Sequence, residues 1–188
     1  MRELIDNKTN LIIRSFTDDE LIENPSIQNE INSWSDDEAI KEYITSNCVW
    51  TDKLFDYLFG LNNLLNNDDP NFSELYFAFD DNEKLQAIFQ LSKTQNKFTK
   101  AIQFLAVNPQ TQNRGIGTRI FNSILKNSEF FKKLKSQLFL VSASEKSNNA
   151  SRRLLKKQGF IPYKKVNNST LCLYIKLWKS KTSNGSII

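Results

Sequence analysis

Between residues 73 and 107 three strand-length runs follow one another with only turn chemistry between them, and this succession most restricts the folds open to the chain. SELYFAFDD (73–81) reads as a strand, DDNE as a hairpin turn and KLQAIFQLSKT (84–94) as the returning partner. Past the polar turn Gln95-Asn96-Lys97, KAIQFLAV (100–107) reads as the third strand of the same meander. The period then changes. Gly117 to Lys126 reads as a helix with Ile120, Phe121, Ile124 and Leu125 on one face. QLFLVSAS (137–144) is a continuous apolar strand suited to a buried place in a sheet. Asn148 to Gln158 reads as a basic helix ended by Gly159, and two last strands follow near 161–166 and 171–178.

Upstream of the meander, TNLIIRSFT (9–17) looks like a first strand, with Thr17 or Asp18 able to cap a following helix. From about 18 to 66 apolar residues recur at helical spacing, as in Ile40, Tyr43, Ile44 and then Leu54, Phe55, Leu58, Phe59. Pro25 and Gly60 break that region into short helices, and NNLLNNDDPNF before the meander is loop chemistry. With no repeat and no clear linker, the 188 residues read as a single α+β domain. Its expected parts are an acidic strand and helices over about 1–72, a sheet core over about 73–180, and a frayed tail at 181–188.

Composition removes several classes of function. A hydrophobic fraction of 39% with fourteen Phe supplies a core, so pervasive disorder is not expected. No apolar run approaches the roughly 20 residues of a membrane span. The start MRELIDNKTN does not read as a signal peptide, and a cytoplasmic protein is the expectation. Cys48 and Cys172 match no metal or redox spacing, and the chain has no histidine. Metal sites and imidazole catalysis are therefore disfavoured, and no metal is expected. Charge is strongly segregated. Residues 1–90 hold 6 Lys+Arg against 19 Asp+Glu, and residues 91–188 hold 19 against 2. One half is suited to a cationic partner and the other to an anionic one, with nucleic acid among the candidate anions.

NPQTQNRGIGTRIF (108–121) carries two of the five glycines, Gly115 and Gly117, between a strand and a helix. A glycine-bearing loop that opens a helix is an anion cradle, because loop amides converge and the helix dipole favours a phosphate. A tight connection with glycines placed for packing is the competing account. Two familiar nucleotide motifs do not fit. Gly117 is followed by Thr118-Arg119 rather than the Lys-Ser/Thr of a P-loop, and Ile120 occupies the third small position of a dinucleotide fingerprint.

Together these residues resemble the GNAT superfamily of N-acetyltransferases. Gln112-Asn113-Arg114-Gly115-Ile116-Gly117 is similar to its Gln/Arg-x-x-Gly-x-Gly/Ala loop, and Leu105-Ala106-Val107-Asn108-Pro109 to the strand that leads into it. Asn148 with Gly159-Phe160, eleven and twelve residues later, has the spacing of the family's next strand-loop-helix element. The match covers roughly residues 100–160. The resemblance implies a mixed, mainly antiparallel central sheet flanked by helices, in which two splayed parallel strands hold CoA. Main-chain groups of Leu105, Ala106 and Val107 would pair with the pantetheine arm. Amides of Gln112, Asn113, Arg114, Gly115, Ile116 and Gly117, with Thr118, would hold the pyrophosphate, and Asn148 would bind the pantetheine. Arg114, Arg119 and Arg152 would face the CoA phosphates, whereas Arg153, Lys156 and Lys157 read as surface charge.

The resemblance also implies acetyl transfer from acetyl-CoA to an amine, and here the chain departs from the pattern. The Tyr common seven residues after the motif Asn is Leu155, the small residue three after it is Ser151, and the Glu found in some members five before it is Ala143. Candidate proton donors are Tyr163, Ser151, Tyr174 or water. Candidate bases are Glu145, which shares a face with Ala143 if the strand reaches it, and Glu74 acting through water. The resemblance implies that the region before the meander, with the last strands, shapes the acceptor side, and the acidic balance there suggests a cationic acceptor such as a polyamine, an aminoglycoside or a peptide amine. Homodimers are common in the family, and a homodimer is the assembly the resemblance suggests. Two other readings stand beside an N-acyltransferase. One is a catalytically silent acyl-CoA-binding module, favoured by Leu155 and Ala143. The other is a nucleic-acid-binding domain, which no aromatic-interleaved basic strand supports.

Overall fold

The computed structural model describes residues 1–38, 40–41, 53–55, 73–93, 99–127, 130–131, 139–145, 148–165 and 171–177. The helical spacing read around Tyr43, Ile44, Leu58 and Phe59, the loop before the meander and the tail lie outside them. Strand β1 (Arg2–Asp6) turns through Asn10, at a left-handed φ of 48°, into β2 (Leu11–Ser15). The turn is stitched by Asp6. Its Oδ1 accepts the Lys8 amide at 3.1 Å, its Oδ2 accepts Asn127 Nδ2 at 3.0 Å, and its carbonyl accepts the Thr9 amide at 3.0 Å. Burial raises the Asp6 carboxyl, but bonds from Ser123, Thr9, the Lys8 amide and Asn127 outweigh it and hold it below the ordinary carboxylate range.

A carboxyl depressed in the folded state stabilises the fold at pH above its unfolded value, and that contribution is lost as pH falls through the folded one. Wild type is therefore expected to lose more of its urea midpoint than Asp6→Asn does on going from pH 5 to about pH 3. Equal losses would show that Asp6 contributes nothing to the acid limb.

Thr17 caps α1 (Asp18–Ile22) through a reciprocal capping box with Glu20, and Asn24 caps α2 (Pro25–Ser33), which has Pro at its first position. A short 3-10 turn, Trp34–Asp36, follows. The meander is β3 (Ser73–Phe79), β4 (Leu85–Lys93) and β5 (Thr99–Val107). After it come a 3-10 turn at Pro109–Thr111, α3 (Ile116–Lys126), β6 (Phe139–Glu145), α4 (Asn149–Lys157), β7 (Ile161–Lys165) and β8 (Leu171–Leu177). The eight strands form one sheet in the order β1-β2-β3-β4-β5-β6-β8-β7. Every neighbouring pair is antiparallel except β5 and β6.

Alternation along the strands sends side chains to two cores, one on each face. On one face Tyr76, Phe89, Leu91, Ile102 and Tyr174 pack with Ile116, Ile120, Phe121 and Ile124 of α3 and Leu155 of α4. Tyr76 stacks on Phe89 with ring centroids 5.1 Å apart. On the other, Leu75, Phe77, Phe79, Ile88, Phe104 and Ala106 pack with Leu21, Ile31, Trp34, Ile40, Leu54 and Phe55. The α1–α2 layer and the α3–α4 layer thus lie on opposite faces, and strands between them are covered on both sides.

Candidate functional site

The parallel pair β5–β6 is hydrogen-bonded only from Thr99–Phe139 to Ile102–Ser142, although β5 runs on to Val107 and β6 to Glu145. Beyond Ile102 and Ser142 the two strands part. The cause lies in β5, where Gln90 pairs with Phe104 and Leu91 with Ile102, so Gln103 is an extra residue in the strand. Such a bulge bends its strand and resets its alternation. Ile102 belongs to the α3–α4 core, yet Phe104, two residues on, belongs to the opposite one.

Above the bulge β5 keeps β4 as its partner, and the Asn108 amide donates to the Gln86 carbonyl at 2.9 Å. Main-chain groups alternate between the two sides of a strand. Those of Ala106 therefore face β4, and those of Leu105 and Val107 face the opening between β5 and β6. An open row of strand amides and carbonyls is a template for pairing with an extended ligand.

The loop from Gln112 to Gly115 follows at the same end of the sheet and is exposed to solvent. Asn113 and Gly115 have left-handed φ values of 63° and 79°. Gly115 is also the N-cap residue of α3 and offers no side-chain cap. The amides of Gln112 through Thr118 donate no hydrogen bond to any described residue. A helix start with uncapped amides, preceded by left-handed turns, fits a pyrophosphate.

The two glycines of this loop serve different needs. A Cβ on Gly115 would meet nothing within 4 Å, so its requirement is the backbone conformation. A Cβ on Gly117 would lie 2.8 Å from Leu154 Cδ2 and 3.8 Å from Leu105 Cδ2, so Gly117 lets β5, α3 and α4 close together. Packing therefore accounts for Gly117, and backbone conformation for Gly115.

Asn148 stands at the N-terminus of α4, past the C-terminal end of β6. Its side-chain oxygen caps the helix by accepting the Ser151 amide at 2.9 Å. Its Nδ2 donates to no described residue, and the side chain is exposed. The opening, the loop and Asn148 thus gather at the C-terminal ends of the one parallel pair. Of the arginines, Arg114 is exposed on the loop. Arg119 departs from expectation. Its guanidinium donates to the carbonyls of Thr9 and Asn10, each at 2.5 Å, tying α3 to the β1–β2 turn and turning away from the loop.

The candidate proton-transfer residues are more scattered. β6 reaches Glu145, which puts residues 143 and 145 on one face of that strand, in register with Leu173 and Leu171 of β8. Tyr174, paired with Ser142, faces the α3–α4 core and is 2% exposed. Residues 143 and 145 therefore take the α1–α2 side of the sheet. Tyr163 is 68% exposed on the edge strand β7, at a register shift between Pro162 and Lys164, and β8 separates it from β6. Ser151 lies in the first turn of α4. Glu74 is engaged already: its carboxylate pairs with Arg2 and accepts the Tyr76 hydroxyl at 2.5 Å. Leu155 is 1% exposed in the α3–α4 core.

Asn108 was legible as the middle of Val107-Asn108-Pro109, but its structural role was not. Its Oδ1 accepts the Gln110 amide at 3.0 Å, and its Nδ2 donates to the Leu85 carbonyl at 3.0 Å and to Glu30 Oε1 at 3.2 Å. An Asn-Pro step is turn chemistry. The partners from β4 and α2 leave no local signal.

A family model described as acetyltransferase (GNAT) family matches residues 30–160. No curated protein matches the sequence. Among solved structures, an acetyltransferase of the GNAT family from Bacillus anthracis is 18% identical with a TM-score of 0.63, over 89% of this chain and 95% of that one. A spermidine N-acetyltransferase from Vibrio cholerae, solved with CoA and spermine, is 17% identical with a TM-score of 0.62, over 90% and 96%. The Vibrio cholerae enzyme in a dodecameric, intermediate state is 16% identical with a TM-score of 0.58, over 90% and 95%. At these identities the likeness is one of fold. Among the described residues no helix is long and apolar enough to cross a membrane.

Proposed function

The chain belongs to the GNAT acetyltransferase family, and from that premise we propose that it moves an acetyl group from acetyl-CoA directly to the primary amine of a cationic acceptor. The observation that carries this reading is the parting of β5 and β6 after Ile102–Ser142, beside a loop whose amides have no partner among the described residues. Leu105 and Val107 would pair with the pantetheine, the amides from Gln112 to Thr118 would hold the pyrophosphate, and Asn148 would donate through Nδ2. Transfer forms an N–C bond at the thioester carbonyl and breaks the C–S bond. The acceptor nitrogen must first lose a proton, and the leaving thiolate must gain one.

Glu145 is our assignment for the base. It stands on the strand that lines the opening, and strand alternation gives its position the α1–α2 face. The thiolate takes its proton from water, since Leu155 is buried and Tyr163 lies beyond β8. The balance of 6 basic against 19 acidic residues over 1–90 supports a cationic acceptor. The spermine bound to the Vibrio cholerae enzyme makes polyamines the first amines to try.

Thiol release from acetyl-CoA across a panel of polyamines, aminoglycosides, lysine peptides and neutral or anionic amines tests the reaction and the acceptor together. The expected result is a clear preference for the cations, with kcat/KM falling about 10²- to 10⁴-fold in Glu145→Gln. Unchanged activity in that variant removes Glu145, and preference for anionic amines removes the cationic acceptor. Leu155 favours a second reading, a silent acyl-CoA-binding module, because the core occupies the common proton-donor position. Binding of acetyl-CoA with no thiol release from any amine would establish it.

A further inference from the structure

Every polar group of Asn108 is used. Its amide bonds β4 at Gln86, its carbonyl accepts the Thr111 amide at 2.8 Å, and its side chain bonds Gln110, Leu85 and Glu30. It is 7% exposed, so these bonds are screened little by water. Glu30 is the long-range member. It projects from α2, and its Oε1 also accepts Trp34 Nε1 at 3.3 Å. A second tie runs alongside, from Gln112 Nε2 to Asp37 Oδ2 at 3.4 Å. The same short stretch organises the rest of that layer. Asn32 Oδ1 accepts the Phe55 amide at 3.0 Å, and Ser35 Oγ accepts the Leu54 amide at 2.9 Å. The loop proposed to hold the acyl donor and the α1–α2 layer proposed to flank the acceptor are therefore joined through side chains at Asn108 and Gln112.

We propose that Asn108 and Glu30 form a positioning link through which occupancy of the acyl-donor loop sets the α2 layer for the acceptor. The inference rests on the acyl-CoA reading above and adds to it a coupling between the two substrate sides. Neither residue touches reacting atoms. The loop has exposed residues and a run of amides with no partner among the described residues, so a diphosphate would give those amides acceptors. The fixed end of that loop is Asn108, whose side-chain partner outside the sheet and the loop itself, among the described residues, is Glu30. Ordering at one end favours one arrangement at the other, and the effect is reciprocal between the two ligands.

Hydrogen exchange on the full chain, with and without CoA, reads the link without needing catalysis. CoA is expected to slow exchange at residues 110–118 and also, by about fivefold, at residues 25–36. Glu30→Ala is expected to keep the first effect and lose the second, and Glu30→Gln, which retains an acceptor oxygen for both donors, to restore it. In steady state Glu30→Ala raises KM for the amine about fivefold or more, while the acetyl-CoA Kd stays within about twofold. Protection at 110–118 with none at 25–36 in the wild type overturns the link and leaves the donor reading standing. No protection at 110–118 overturns both. An amine KM unchanged in a folded Glu30→Ala also overturns the link.

Discussion

Gly115→Val is expected to bind acetyl-CoA at least about 100-fold more weakly than wild type while remaining folded. Gly115 holds a φ of 79°, where a β-branched residue is a genuine outlier, costing of the order of 1–3 kcal/mol. A Cβ at this position would meet no heavy atom within 4 Å apart from its own chain neighbours and the helix backbone. The strain therefore goes into the backbone, and relaxing it turns the amides that open α3. Losing two charge-assisted bonds to a pyrophosphate, at about 1.5–3 kcal/mol each, gives the expected drop. Gly117→Ala is the control. Its Cβ presses on Leu154 Cδ2, the far end of a flexible side chain that can rotate away, so a small change in Tm and in affinity is expected. Calorimetry with acetyl-CoA and thermal unfolding separate the two effects. Normal affinity in Gly115→Val would mean that the loop does not cradle the phosphates.

Elements with one dominant pattern were legible in the sequence. The meander, α3 and α4 stand within a few residues of the readings from periodicity, and Thr17, Asn148 and Gly159 mark helix ends as their chemistry suggests. Strand β1 was missed because RELID carries three charges in five residues. Those charges find partners far along the chain. Arg2 pairs with Glu74, Glu3 with Arg14 at 2.6 Å, and Asp6 accepts from Asn127. The family resemblance implied that two parallel strands splay, but the bulge at Gln103 was hidden, since it depends on which residue of β4 it opposes. Arg119 shows the limit of motif reasoning at close range. It follows the glycine loop by two residues, yet helical rotation carries it to the β1–β2 turn.

Leu155 carries the other large effect. Leu155→Ala is expected to lose about 2–5 kcal/mol of stability, and Leu155→Tyr about 1–3 kcal/mol with no gain in acetyl transfer. The side chain is 1% exposed in the core shared by α3, α4 and the sheet, where deleting it leaves a cavity and enlarging it forces neighbours off their rotamers. The backbone there is pinned as well, because the Leu155 carbonyl accepts the Phe160 amide at 3.0 Å and Gly159 turns the chain at a φ of 77°. A tyrosine introduced at this position would also bury a hydroxyl, adding about 1–3 kcal/mol if the group stays without a partner. Urea unfolding measures the first effect and thiol release with the best amine of the panel measures the second. A Leu155→Tyr protein of unchanged stability that releases thiol at least about tenfold faster would reverse the argument. The position would then reach the opening between β5 and β6, and the leucine would mark an enzyme slowed by the loss of its proton donor.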